Sequence, residues 1–402
     1  LVGWHADGQT WPVWTNDRVF VGIQTYDIYV SDEPITDLSQ ATLIGRLFPQ
    51  DWDARRLQDV DPSATWTIPD GAGGTLTLAP NEALFVYTPH AALAEHFAVV
   101  KHGETSVGPT NTTGPIAQTL DPVTCHPQWT GTTSLGYPYT VYAHWVDGRD
   151  DHTSGRPDYP VMGNAGTNGT GHLFTVYEPP SGLPPGPVPA LMMFHGGLGS
   201  HLGWVPGEAD TVDNTLDDGL MIAVDDVLYL ARNIVGARPW PTNTFWFGHW
   251  EGYDRFDPDP GLPPDDALVV DYTLRRVAFI HEFLVANFPV DPQRVSAMGH
   301  SMGAGATAFV TRRFHDLFAA GMAFEHAYRG IGKGVFLENL LGTREQNLQT
   351  TLPGGMGFDD FMQIESELDG PGDRSFARFL WGRNDEQVPW NEPGGGDVPA
   401  TM

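Results

Sequence analysis

The chain has 402 residues, 41% of them hydrophobic and 11% aromatic, which is enough apolar material for two or three domains with cores of their own. Fifty acidic residues against 21 basic ones give a formal charge of -29, and that excess argues against nucleic acid and anionic membrane as partners. A single cysteine, Cys125, permits no internal disulfide, and no apolar run approaches the ~20 residues that a membrane-spanning helix needs.

Lysine occurs only at 101 and 333, which fits either genomic base composition or adaptation to salt. The start at Leu1 without a Met leads us to expect a processed N-terminus.

Residues 1–110 read as all-β. Runs such as "QTWPVWT", "VGIQTYDIYVS", "EALFVYTP" and "HFAVVKHG" are short and rich in Thr, Val, Tyr, Phe and Trp. Gly, Pro, Asp and Asn separate them at intervals that suit a sandwich. The early Trp14, the Tyr26–Tyr29 strand and the late aromatic strand at Phe97 resemble a fibronectin type III module. Residues 111–128, rich in Thr, Asn, Gly and Pro, are expected to be a linker, and 129–402 a second domain.

"YPYTVYAHWVDG" and "HLFTVYEPP" predict two further strands. Beyond Pro180 the pattern changes. Nearly unbroken apolar runs at 189–197, 219–227, 294–301, 318–327 and 378–385 suit strands buried on both faces of a parallel sheet. Between two of them, Val270, Val277, Ile280, Leu284 and Phe288 mark one helix face, with Asp265 and Asp266 near its start and Pro289 after its end. Strand–helix alternation of this kind predicts a doubly wound, mostly parallel α/β sheet.

Within it, "RVSAMGHSMGAG" places Gly299-His300-Ser301-Met302-Gly303 where a strand turns into a helix. G-x-S-x-G at such a turn exposes a serine hydroxyl above the sheet. The flanking glycines remove Cβ atoms that would strike neighbouring backbone, and the helix N-terminus offers N–H groups to developing negative charge. A second run, "PALMMFHGGLGSH", ends in His195-Gly196-Gly197. Such a loop can aim a backbone N–H at an oxyanion, so Met302 and Gly197 are the expected donors, with Leu198 as the substitute for Gly197. His195 is expected to shape the loop. A third, "FLWGRNDEQVPW", puts Asp385 after a strand, where a carboxylate can orient an imidazole. Alone, each of these has an ordinary structural explanation: a packing turn, a glycine-rich β-turn, a solvated loop aspartate.

Taken in order, "FTVYEPPSG…PALMMFHGG", "YTLRRVAFIHEFLVANFPVDPQRVSAMGHSMGAG" and "FLWGRNDEQVP" resemble the α/β-hydrolase superfamily. The likeness is to secreted esterases of the polyhydroxybutyrate depolymerase, feruloyl esterase and esterase D type. It covers the chain from about residue 172 onward. The resemblance implies an extracellular serine esterase, acting through an acyl-enzyme formed on Ser301 and needing no cofactor. Its triad order is Ser, acid, His, yet residues 386–402 contain no histidine. We therefore expect the domain to lack a C-terminal strand and helix that would carry it, and the chain to associate with such a segment or with other chains. His326, His195, His201 and His249 are the substitutes by location. The rival functions are a non-catalytic extracellular scaffold on a hydrolase fold and a serine peptidase of related fold.

Two long segments sit where such a domain carries insertions. Residues 238–266 crowd Trp240, Phe245, Trp246, Phe247, Trp250 and Tyr253 together. Aromatic faces suit sugar rings, phenolic acyl groups or polyester chains, though the same residues could pin the loop. Trp246 and Trp250, with His195 and His300, are the candidate substrate-binding residues. Residues 328–375, with the amphipathic "VFLENLLGTREQNL", suggest a lid or interaction surface. Asp254, Asp257, Asp259, Asp265 and Asp266 could hold Ca²⁺, but their spacing matches no EF-hand loop and a solvated acidic surface is the simpler explanation. No His/Cys pattern for zinc is present.

Overall fold

A computed structural model of the chain describes residues 1–16, 25–52, 54, 57, 61–148, 161–197, 199–208, 214–235, 238–325, 334–362 and 375–380. Strands β1 (Val2–Ala6), β2 (Gln9–Thr15) and β7 (Glu82–Leu84) form one antiparallel sheet. Strands β3 (Tyr26–Ser31), β4 (Thr42–Leu47), β8 (Ala94–Lys101) and β9 (Thr112–Ala117) form another, in the order β4-β3-β8-β9. Side chains alternate across a strand, so Tyr26, Ile28 and Val30 of β3 and Phe97 and Val99 of β8 share one face. They pack on Trp14, Ala83 and Phe85 from the opposite sheet. Between β4 and β7 the chain makes a helical turn, α1 (Pro49–Trp52), and a hairpin, β5 (Thr67–Pro69) with β6 (Thr75–Thr77).

One boundary differs from expectation. The stretch expected as linker contains β9, which pairs with β8. Its Gly114 and Pro115 suggest a loop, but an edge strand tolerates proline because one row of its N–H groups needs no partner. The crossing to the next sheet is residues 118–125.

That large sheet has eight strands among the described residues: β10 (His126–Thr132), β11 (Pro138–Trp145), β12 (Gly171–Tyr177), β13 (Val188–Phe194), β14 (Leu220–Val224), β19 (Val290–His300), β20 (Ala320–Phe324) and β21 (Phe376–Leu380). Their order is β10-β11-β12-β14-β13-β19-β20-β21. The first four pair antiparallel in that order, and from β14 to β21 every pairing is parallel. All five apolar runs are strands of this sheet, and its central strands are buried on both faces. The arrangement fits an α/β-hydrolase sheet.

Helix α2 (Tyr272–Asn287) lies against it through Leu274, Val277, Ile280 and Leu284. It begins later than the acidic pair at 265–266 suggests. Val269–Val270 form β18 and pair with β17 (His249–Trp250) before the helix starts. A further hairpin, β15 (Leu228–Val235) with β16 (Arg238–Thr242), follows β14. Helix α3 (Met302–Arg313) runs directly from β19. Among the described residues no helix is long and apolar enough to cross a membrane.

Of the segment expected to be a lid or interaction surface, residues 334–362 are instead core, and 328–333 and 363–374 lie outside the described residues. Helix α4 (Gly334–Leu341) and helix α5 (Phe358–Met362) bring Leu340, Leu341, Leu348, Leu352, Phe358 and Phe361 into the main apolar cluster of the sheet. The amphipathic pattern was real, but its apolar face meets the sheet rather than solvent. Cys125 is buried in the same cluster, and burial pushes its thiol well up, which leaves it unreactive.

The sandwich and the large sheet share a core. Trp11 of β2, Trp66 and Trp145 of β11 are all at most 1% exposed. Trp145 lies edge-on to Trp11 at 5.1 Å and tilted against Trp66 at 5.5 Å. A buried ion pair crosses the same junction. The Arg255 guanidinium meets Asp51 at 2.7 Å with both side chains fully buried. It also donates to the carbonyls of Gly166 and Arg46 at 2.6 and 3.2 Å, and lies against the stacked rings of Phe48 and Phe256. A buried charge survives only when paired and hydrogen-bonded like this.

Two outcomes follow for stability. Arg255→Met strands the Asp51 carboxylate and is expected to cost ~3 kcal/mol or more, read by denaturant titration; adding Asp51→Asn should recover part of the loss. Burial pushes His126 down to about 4 despite the opposing charge of Asp7, and burial, with Arg276 and Arg255, does the same to His249. The unfolded chain then binds protons that the folded one refuses, so stability should fall as pH drops from about 6.5 to about 4. Each histidine contributes up to roughly 3 kcal/mol to that loss. A melting temperature flat across that window would contradict the assignment.

Candidate active site

The site is built at the bend between β19 and α3. Ser301 has φ 55° and ψ -118°, a backbone region that side-chain-bearing residues avoid. The bend is held from both sides. The Ser301 N–H donates to the Phe324 carbonyl of β20 at 2.9 Å, and the Ser301 carbonyl accepts from Ala304 and Gly305. A Cβ on Gly303 would come within 1.9 Å of the Phe194 carbonyl oxygen of β13, and one on Gly299 within 2.1 Å of the Gly303 carbonyl oxygen. Both contacts are with backbone, which cannot swing aside. The serine is half-buried. Among the described residues its hydroxyl has no hydrogen-bond partner.

The loop after β13 lies alongside. A Cβ on Gly196 would sit 3.6 Å from the Ser301 Cβ. His195 is 1% exposed. Its Nε2 accepts the Asp226 N–H at 3.0 Å, so its proton is on Nδ1. Nδ1–H donates to the Gly196 carbonyl at 2.7 Å, which also takes the Gly199 N–H. In a trans peptide the C=O and the following N–H point in opposite directions. Fixing the Gly196 carbonyl toward His195 therefore turns the Gly197 N–H away from it. Neither the Gly197 N–H nor the Met302 N–H, at the first turn of α3, has a partner among the described residues. Helix N-termini favour negative charge, so this edge is prepared for an anion. Leu198 lies outside the described residues.

Behind the loop stands a residue the sequence reading missed. Asp226 is fully buried. Its carboxylate accepts from the Thr244 N–H and hydroxyl and from the Trp246 N–H, and Arg276 lies 3.7 Å away. It thereby clamps 244–246, where Phe245 and Trp246 both adopt positive φ, to the back of the His195 loop. Trp246 is completely buried and donates its indole N–H to the His195 carbonyl at 3.0 Å. The expectation that Trp246 faces substrate is corrected: its ring packs on Phe194 and His195 inside the protein. Phe247 packs on Phe309, Phe358 and Phe361. Trp250 is half-buried, with its indole N–H on the Asn339 carbonyl. The described rings Trp246, Phe247 and Trp250 thus pin the segment down; the Trp240 side chain lies outside the described residues.

A second missed residue is Glu325, just past β20. Its carboxylate meets His300 Nε2 at 2.6 Å, with both side chains part-exposed. The signal available for both acids was positional: each lies within two residues of the end of an apolar strand of the sheet.

Of the substitute histidines, His195, His201 and His249 are all buried and hydrogen-bonded to groups other than Ser301. Both nitrogens of His195 are engaged. His201 is buried with Nδ1 on the Thr175 hydroxyl at 2.7 Å. His249 is buried with Nδ1–H on the Trp250 carbonyl. His326 and Asp385 lie outside the described residues. As for Ca²⁺, no group of three or more His, Cys, Asp or Glu among the described residues converges on a metal position. Asp254 and Asp257 instead accept the N–H groups of Phe256 and Asp259.

No protein-family model matches the chain, and no curated protein is significantly similar to it. Among solved structures, S-formylglutathione hydrolase from Agrobacterium tumefaciens matches 64% of this chain and 91% of its own at 14% identity, TM-score 0.38. The serine hydrolase FphF of Staphylococcus aureus matches 62% and 81% at 13% identity, TM-score 0.39. A glucuronoyl esterase from Solibacter usitatus matches 66% and 69% at 13% identity, TM-score 0.36.

The glycines give a direct test. Gly303→Ala and Gly299→Ala should each lower the melting temperature by several degrees or prevent folding, since strain of this kind costs ~1–3 kcal/mol or more. Gly197→Ala should leave it unchanged, because its Cβ would meet nothing within 4 Å. Equal tolerance of all three in a thermal melt would mean that the bend is not as tight as described.

Proposed function

We propose that this chain is a serine hydrolase acting on carboxylic esters. One observation carries the reading: a serine held at a forbidden backbone angle between a buried parallel strand and a helix N-terminus. Strain of that size persists only where the surroundings impose it, and it concentrates at functional sites. In the proposed reaction the Ser301 hydroxyl attacks the ester carbonyl. The N–H groups of Met302 and Gly197 receive the charge that builds on the carbonyl oxygen, a contribution of ~3 kcal/mol per donor in comparable sites. The alcohol leaves, and water then releases the acyl group from Ser301.

A serine needs a base to reach that reactivity, and we assign orientation of a histidine to Asp385. His195 keeps the role of fixing the oxyanion loop. We further propose that the N-terminal sandwich is fibronectin type III-like, supported by its three-plus-four strand order, and that the protein works outside the cell. Carbohydrate, phenolic or polyester esters all remain within the substrate class.

Incubation with a fluorophosphonate probe should label the protein on Ser301, mapped by mass spectrometry, and Ser301→Ala should abolish both labelling and turnover of p-nitrophenyl acetate. A full-length protein that takes no label would favour the scaffold reading. Cleavage of anilides at rates matching esters would favour a peptidase.

A further inference from the structure

The His300–Glu325 pair is not used by the chemistry above, and its geometry asks for a reason. Glu325 has φ 58°, a conformation in which glycine is comfortable and a glutamate is not. Its backbone is fixed there by two strands, since the Glu325 N–H donates to Leu380 of β21 at 2.7 Å while the preceding Phe324 carbonyl takes the Ser301 N–H. A part-exposed ion pair contributes little to folding. Stability therefore does not explain a glutamate where glycine would fit better, and the carboxylate is what distinguishes the two.

That carboxylate holds one imidazole, and the imidazole lies next to the oxyanion loop. Nε2 of His300 is on Glu325 at 2.6 Å. On the other side, the His300 carbonyl oxygen and Nδ1 lie 3.5 and 3.8 Å from the Cβ position of Gly196. The ring thus lies between the ends of β20 and β13, with Nδ1 in van der Waals range of the position that a side chain on Gly196 would occupy. His195 grips the Gly196 carbonyl from behind, and His300 closes the side toward β20.

We propose that Glu325 is a positioning residue: by holding His300 it fixes the Gly196–Gly197 peptide whose N–H faces the developing oxyanion. This rests on the reading of Ser301 as nucleophile. The pair does not touch substrate in this account. It restricts the loop, so that the donor is in place before charge develops and no reorganisation is needed during the reaction.

The test separates positioning from mere structure. In Glu325→Gly the backbone strain is relieved, so the melting temperature should hold or rise, while kcat for p-nitrophenyl acetate falls about tenfold or more with KM little changed, the range that small misplacements of catalytic groups produce. His300→Gln should lower kcat similarly, and the double variant should be no worse than either single one, as expected for two residues acting as a unit. Glu325→Gln, which keeps a hydrogen-bond acceptor, should restore part of the rate. Amide hydrogen exchange across 195–199 supplies a readout that needs no turnover: exchange should quicken in Glu325→Gly and His300→Gln. Wild-type kcat in both single variants, additive losses in the double one, or unchanged loop exchange would overturn the proposal. Loss of fluorophosphonate labelling at Ser301 in the unmodified protein would instead sink the nucleophile reading; the exchange comparison would still decide whether the pair holds the loop.

Discussion

The approach of the β19–α3 bend to the end of β13 is the contact on which the site depends. Gly303 passes so close to the Phe194 carbonyl that no side chain fits between them. This proximity puts the first turn of α3 beside the loop that follows β13. Ser301 is thereby placed between two sets of N–H groups drawn from strands adjacent in the sheet but more than a hundred residues apart in sequence. Without that crowding, a serine at a helix start would be an N-cap like any other, its hydroxyl bonded to the helix it begins. Here its side chain makes no cap hydrogen bond.

Around this contact the protein builds outward in layers of backbone control. His195 fixes a peptide orientation, Asp226 fixes the tautomer and the chain behind it, and Trp246 fills the space between them. These groups are buried and polar, an expensive combination that is stable only because each donor and acceptor is matched. The same logic extends to the junction with the sandwich. Arg255 belongs to the aromatic segment that also carries Trp246, and its partner Asp51 comes from the sandwich half. The N-terminal sheets are thus continuous in packing with the body that carries the site, rather than a module on a tether. The shared cluster of Trp11, Trp66 and Trp145 makes the same point in apolar terms.

Much of this was legible in the residues. The parallel strands were visible because burial on both faces demands unbroken apolar runs. The bend was visible because only glycine satisfies its steric demand. The sandwich strands were visible from alternating β-branched and aromatic residues. Less legible were the roles of side chains that depend on what arrives from elsewhere in the chain. Trp246 and Leu340 have the same composition signal whether they face a ligand or a core. Glu325 and Asp226 look like ordinary loop acids until their partners, His300 and the 244–246 backbone, are brought beside them. Strand β9 was hidden by Gly114 and Pro115, which punctuate loops more often than they edge a sheet.

The sequence alone determined the alternation of strand and helix, the central position of Ser301 and the glycines around it, and the surplus of negative charge. Those are local or compositional properties, set by periodicity and by the sterics of neighbouring residues. Tertiary structure decided which aromatic rings are interior, that residues 334–362 are core, that two sheets share one apolar cluster, and that a strained glutamate stands next to the bend that carries Ser301. Each of these depends on contacts between residues distant in the chain, and no local pattern of side chains encodes where such partners will meet.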